Sequence, residues 1–256
     1  MRTLQKFWVV ALAVCMCGSA SAQRVTYERP TSTSALHQIL YEDWQRIRLL
    51  EEIKDQVFPR FGVERKLSIE LKSCGQSNAF YKPSRQEITL CYELIDDILY
   101  AIRPSFRNLT TSQLAPILVN VFAFIVLHEF GHAVLHLEQI QTFGREEDNA
   151  DQIGTYMLLS EVLARQPAEV ADASVYAVGA WFNSKSSNYI SRHQMAGEHA
   201  LPEQRAFNFA CLAIGKDLAR YRRAAQALQL PPERAARCSE EWRRLQSTYL
   251  KYERTK

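Results

Sequence analysis

The stretch Ile117 to Leu127 is apolar apart from Asn120, and it runs without a break into His128-Glu129-Phe130-Gly131-His132. Such a run can cross a membrane or sit inside a protein. It covers only about 16 Å of helix, roughly half a bilayer's hydrocarbon, and a charged motif follows at once, so a buried core helix is expected. On that helix His128 and His132 stand at i and i+4, one above the other, and both imidazoles can reach one metal ion. Glu129 then has the place of a general base, which takes a proton from a metal-activated water and passes it to the leaving amine. The plainer alternative is a pair of ordinary helical histidines beside a glutamate, and the motif alone does not exclude it.

Zinc, expected at one ion per chain, needs a third protein ligand. His136 is one further turn along, but His128 to His136 spans about 12 Å of helix, too far for bonds of about 2 Å. His136 is therefore expected to support the site or the fold. The metzincin pattern is absent, since Leu135 and Glu138 stand where it requires glycine and histidine. Downstream, after a turn around Gly144, Glu147-Asp148-Asn149-Ala150-Asp151 opens a new helix. Glu147 and Asp151 share a face. Glu147 can complete a tetrahedral site, and Asp151 can accept the second ring N–H of a ligating histidine, His128 by preference. Glu146 is the rival ligand, but Ala150 stands where its acidic partner would be. The acidic cluster also has a simpler reading, as complement to a helix N-terminus.

The chain begins like an exported protein. Arg2 and Lys6 form a basic start, Phe7 to Cys17 is apolar, and Ala20-Ser21-Ala22 supplies small residues for cleavage before Gln23. Residues 1–22 are thus expected to be a signal peptide rather than an anchor, leaving no integral membrane segment. Lipidation at Cys15 or Cys17 is disfavoured by the bulky Val14 and Met16. Cleavage lowers the formal charge from +3 to about +1, which gives no argument for binding nucleic acid or an anionic surface. Cys74, Cys91, Cys211 and Cys238 remain. An even count in an exported chain suggests disulfides. Cys74–Cys91 and Cys211–Cys238 are favoured because each pair lies within one local unit, with buried free thiols as the alternative.

Residues 23–33 are polar and read as a flexible leader, and 34–256 as one domain of mainly α, α+β class. From Ser34, a plausible cap, to Phe58 apolar residues recur at helical spacing, and Pro59 ends the run. Alternation at Leu67, Ile69 and Leu71, and again at Ile88 and Leu90, predicts a small antiparallel sheet with strands near 66–72, 78–81 and 86–91. Helices are expected over 92–107, 112–137, 145–164, 169–184, 203–228 and 232–252. His37 reads as a surface residue.

The His128 motif with Glu147 and Asp151 resembles the gluzincins, in which HExxH is followed by a glutamate in an ExxxD or ExxAD setting. Asn78-Ala79-Phe80, with Pro83, Ile88 and Glu93-Leu94, looks like the edge strand that pairs with extended substrate in thermolysin-like peptidases and in membrane-bound prenyl-protein peptidases. His199 and Arg205, with Pro202 between them, resemble the latter's His-Pro-to-Arg element, although Ala200 follows the histidine here. Over residues 36 to 245 the pattern looks most like a bacterial family of exported metallopeptidases of unknown function. The resemblance implies a zincin-like fold with a helical C-terminal part, substrate binding at Asn78, Ala79 and Phe80, oxyanion stabilisation by His199, and an orienting role for Arg205. His193 and Tyr189 are rival donors, and Arg205 also reads as a solvated helix charge.

These features favour a secreted or periplasmic zinc peptidase acting on peptides or proteins. Two alternatives stand beside it: a non-catalytic zinc- or peptide-binding module on the same scaffold, and a zinc amidase acting on cell-wall peptides.

Overall fold

The structure is a computed structural model that describes residues 24–63, 67–187 and 189–253. The expected signal peptide lies outside the described residues.

Strand β1 (Val25–Tyr27) leads into helices α1 (Ala35–Arg46) and α2 (Leu49–Val57). Ser34 caps α1 by accepting from the His37 amide, as its sequence predicts, but Arg48 in a left-handed conformation splits the expected single helix. Strands β2 (Ser68–Lys72), β3 (Ala79–Lys82) and β4 (Glu87–Cys91) follow, then α3 (Tyr92–Ile102) and α4 (Thr111–Leu137). The rest is helical: α5 (Glu146–Met157), α6 (Ala168–Asn183), α7 (Arg192–Ala196), α8 (Pro202–Lys216), α9 (Leu218–Ala227), α10 (Pro232–Ala235) and α11 (Cys238–Tyr252). The fold is thus α+β and mainly α. Asp217 breaks the expected 203–228 helix: extended in backbone, it ends α8 and caps α9 through the Arg220 amide.

The sheet is mixed, not antiparallel as expected. Its order is β1-β2-β4-β3, with β1–β2 and β2–β4 parallel and only β3–β4 antiparallel. The segment read as a flexible leader supplies β1, paired to β2 from Val25↔Ile69 to Tyr27↔Leu71. Strand β3 is left on an edge. Ile69, Leu71, Ile88 and Leu90 are buried beneath the helical layer.

Helix α4 is the spine of the core. It starts with a capping box formed by Thr110 and Gln113, and its apolar stretch is buried among other helices rather than offered to lipid. Its one polar interruption, Asn120, is satisfied by Gln166 and Ser174, as burial of an amide requires. Both disulfides form with the favoured pairing, Cys74–Cys91 and Cys211–Cys238. They accord with folding in an oxidising compartment. The first ties the loop before β3 to the start of α3, where Glu93 also accepts from the amides of Cys74 and Gly75.

Candidate metal centre and cleft

Two glycines let α4 and α5 cross closely. A Cβ on Gly131 would stand 2.9 Å from the Ala150 Cα, and one on Gly154 would stand 2.9 Å from the His128 nitrogen. Contact this close leaves no room for side chains between the axes. It brings the acidic start of α5 onto the histidine face of α4.

His128, His132 and Glu147 meet there. The two imidazole Nε2 atoms are 3.3 Å apart, and Glu147 Oε2 lies 3.3 Å from His128 Nε2 and 3.5 Å from His132 Nε2. Three donors so spaced are corners of a tetrahedron whose centre is about 2.0–2.1 Å from each, the usual length of zinc–nitrogen and zinc–oxygen bonds. Glu147 Oε2 is shut off from solvent and has no well-aligned hydrogen bond, although His199 Nε2 lies 2.7 Å from it. An orphaned buried oxygen facing two ring nitrogens fits a bound cation.

Both rings are held from behind. Asp151 Oδ1 lies 2.8 Å from His128 Nδ1, and Glu146 Oε1 lies 2.8 Å from His132 Nδ1. Arg205 donates twice to Asp151 through Nε and Nη2, each at 2.7 Å, with its guanidinium over the Phe182 ring. Arg205 is therefore not a solvated helix charge. Glu146, weighed as a rival ligand, stands at His132 Nδ1 and outside the group formed by His128, His132 and Glu147. Nothing in its spacing distinguishes that placement, which depends on the crossing of α4 and α5.

The electrostatics separate the two central glutamates. Burial pushes Glu147 up, but His128, His132 and His199 more than offset it and hold the carboxyl far below the usual range. Burial raises Glu129, only partly countered by His128 and His132. One carboxylate is thus held ionised while its neighbour is poised to accept a proton. Burial would lower His128, but Asp151 and Glu147 raise it to about 9, and Asp151 is itself held at about 2 by His128 and Arg205.

These groups line a cleft of about 690 Å³, with Asn78, Ala79, Phe80 and Tyr81 on one side and Trp181, Lys185 and His199 among its other residues. Asp97 also lines it, accepting from Trp181 Nε1 and pairing with Lys185. Spacing gave no sign of these three residues, because α3 and α6 meet only in the fold. His136 is outside the group formed by His128, His132 and Glu147 and bonds the Tyr81 hydroxyl at 2.9 Å. Tyr189 and His193 are exposed and outside the cleft lining. The surface reading of His37 is wrong: it is buried, with Nε2 2.8 Å from Asp96 and its ring stacked on Tyr92.

Residues 27–252 match the model of the family DUF4344, described as "Putative metallopeptidase". The chain belongs to this family. No curated protein and no solved structure matches it. Membership covers nearly the whole described chain and accords with a metal-dependent, peptidase-like protein. Within that frame, the second group of close acidic and sulfur side chains, Cys74, Cys91 and Glu93, is no rival centre, because its cysteines are joined to each other.

Proposed function

We propose that the protein is an exported zinc-dependent peptidase that cuts extended peptides in the cleft beside β3. The observation that carries this reading is the tetrahedral spacing of His128 Nε2, His132 Nε2 and the orphaned Glu147 Oε2. Two imidazoles and one carboxylate form a donor set suited to zinc, and all three residues line the cleft. A zinc ion bound there would supply a Lewis acid and make water a usable nucleophile near neutral pH.

The chain's own residues supply the rest. Asp151 and Glu146 fix the tautomers of the two histidines, so each offers Nε2. Buried Glu129, raised in proton affinity, takes the proton from the attacking water and delivers it to the leaving amine. His199, at the cleft's edge, donates to the developing oxyanion once Glu147 Oε2 is engaged elsewhere. Edge strand β3 offers unpaired backbone to an extended peptide. The disulfides support a periplasmic or secreted location.

The purified mature protein should cleave casein, and Glu129→Gln should lose at least roughly a hundredfold in rate while keeping its zinc. Cleavage by Glu129→Gln at the wild-type rate would refute the assigned chemistry.

A further inference from the structure

The antiparallel pairing of β3 with β4 fixes which backbone groups face the cleft. Cys91 N–H donates to Asn78 O at 3.1 Å, and the register continues Ala79↔Leu90, Phe80↔Thr89, Tyr81↔Ile88. Hydrogen-bonded and non-bonded pairs alternate in such a ladder. Asn78 and Phe80 therefore point their backbone groups at β4, whereas Ala79 and Tyr81 point theirs at the free edge. Of the three residues expected to hold substrate, only Ala79 has its N–H and C=O free for a peptide strand.

Tyr81 faces α4 at both ends. Its hydroxyl meets His136 Nδ1 at 2.9 Å, and its edge-facing N–H opens onto the cleft that Glu129 also lines. Glu129 and His136 are seven residues apart, two turns along one face of α4. One tyrosine thus lies along the stretch of helix that carries Glu129 and the second histidine of the motif, His132.

We propose that Tyr81 is a positioning residue: it clamps the edge strand across two turns of α4, so that Glu129 stands at a fixed offset from a peptide backbone paired at Ala79. The proposal rests on the peptidase reading for its kinetic consequence, but the clamp itself can be observed without turnover. A misplaced base lowers the chemical step more than binding.

The test uses Tyr81→Phe, His136→Gln and the double variant in the full mature chain. Casein cleavage should fall roughly ten- to a hundredfold in kcat, with KM and zinc content unchanged. The double variant should be no worse than the worse single one, as for one shared bond. Residue-resolved amide exchange supplies a second readout. In Tyr81→Phe the Tyr81 amide should exchange faster while Phe80 and Lys82, paired to β4, stay protected. Wild-type kcat in Tyr81→Phe, additive losses in the double variant, or equal acceleration of all three amides would overturn the proposal. If the wild-type protein cleaves nothing, the peptidase reading has failed, and unchanged exchange at Tyr81 would still refute the clamp.

Discussion

Gly154 lies against the backbone of His128, so closely that a Cβ there would stand 2.9 Å from the His128 nitrogen. The neighbour is helix backbone and cannot rotate away. Gly154→Ala should therefore force α5 from α4, costing about 1–3 kcal/mol, and should carry Glu147 away from the two imidazoles. Thermal melting and zinc titration check this together: stability and zinc affinity should fall in parallel, whereas unchanged affinity would mean that the crossing does not position the ligands.

Asp151 joins the proposed ligand His128 to Arg205. Asp151→Asn should weaken zinc binding roughly 10–100-fold, the usual cost of losing such support. Arg205→Met should cost less, since it leaves the Asp151–His128 bond in place. Competition with a chelator measures both, and equal losses would contradict this order.

Stability of the metal-free protein should depend on pH with a defined sign. Asp151 falls from 3.8 to about 2 on folding, so its contribution is complete above 3.8 and is lost as pH drops through 2. His128 rises from 6.5 to about 9, so its contribution is complete below 6.5 and is lost as pH climbs through 9. Thermal midpoints should form a plateau between these limits and decline on both sides. Zinc should abolish the alkaline decline, because ligation needs neutral imidazole. A chelated sample whose midpoint rises from pH 6.5 to 9 would show the wrong sign.

The two disulfides should differ in consequence. Each closes a short loop, with separations of 17 and 27 residues, and removing either should cost about 3–4 kcal/mol in the loop-entropy account. Only the loss of Cys74–Cys91, which tethers the loop entering β3, should also raise KM for casein. Paired cysteine-to-alanine variants, compared by denaturant melts and kinetics, separate the effects.

The convergence of His128, His132 and Glu147 was legible because helical periodicity places i and i+4 on one face, which holds for His128 with His132 and for Glu147 with Asp151 whatever surrounds them. Strand direction was not legible. Alternation at Ile69 and Ile88 marks strands but says nothing of polarity, and β1, three residues long, has its partner about forty residues away. Helix breaks at Arg48 and Asp217 lack glycine or proline at the break itself. His37 could be recognised as buried only once Asp96 on α3 stood opposite it. The roles of Glu146 and Tyr81 arise from how α5 and β3 dock on α4, which local spacing does not encode.

The most direct measurement is the zinc content of purified wild-type protein and of Glu147→Ala and Glu146→Ala. The neighbouring glutamates are placed differently: Glu147 Oε2 faces both Nε2 atoms, and Glu146 stands behind His132. Wild type should hold about one zinc per chain, Glu147→Ala should lose it, and Glu146→Ala should retain it with weakened affinity. A full equivalent of zinc in Glu147→Ala would contradict the proposed centre.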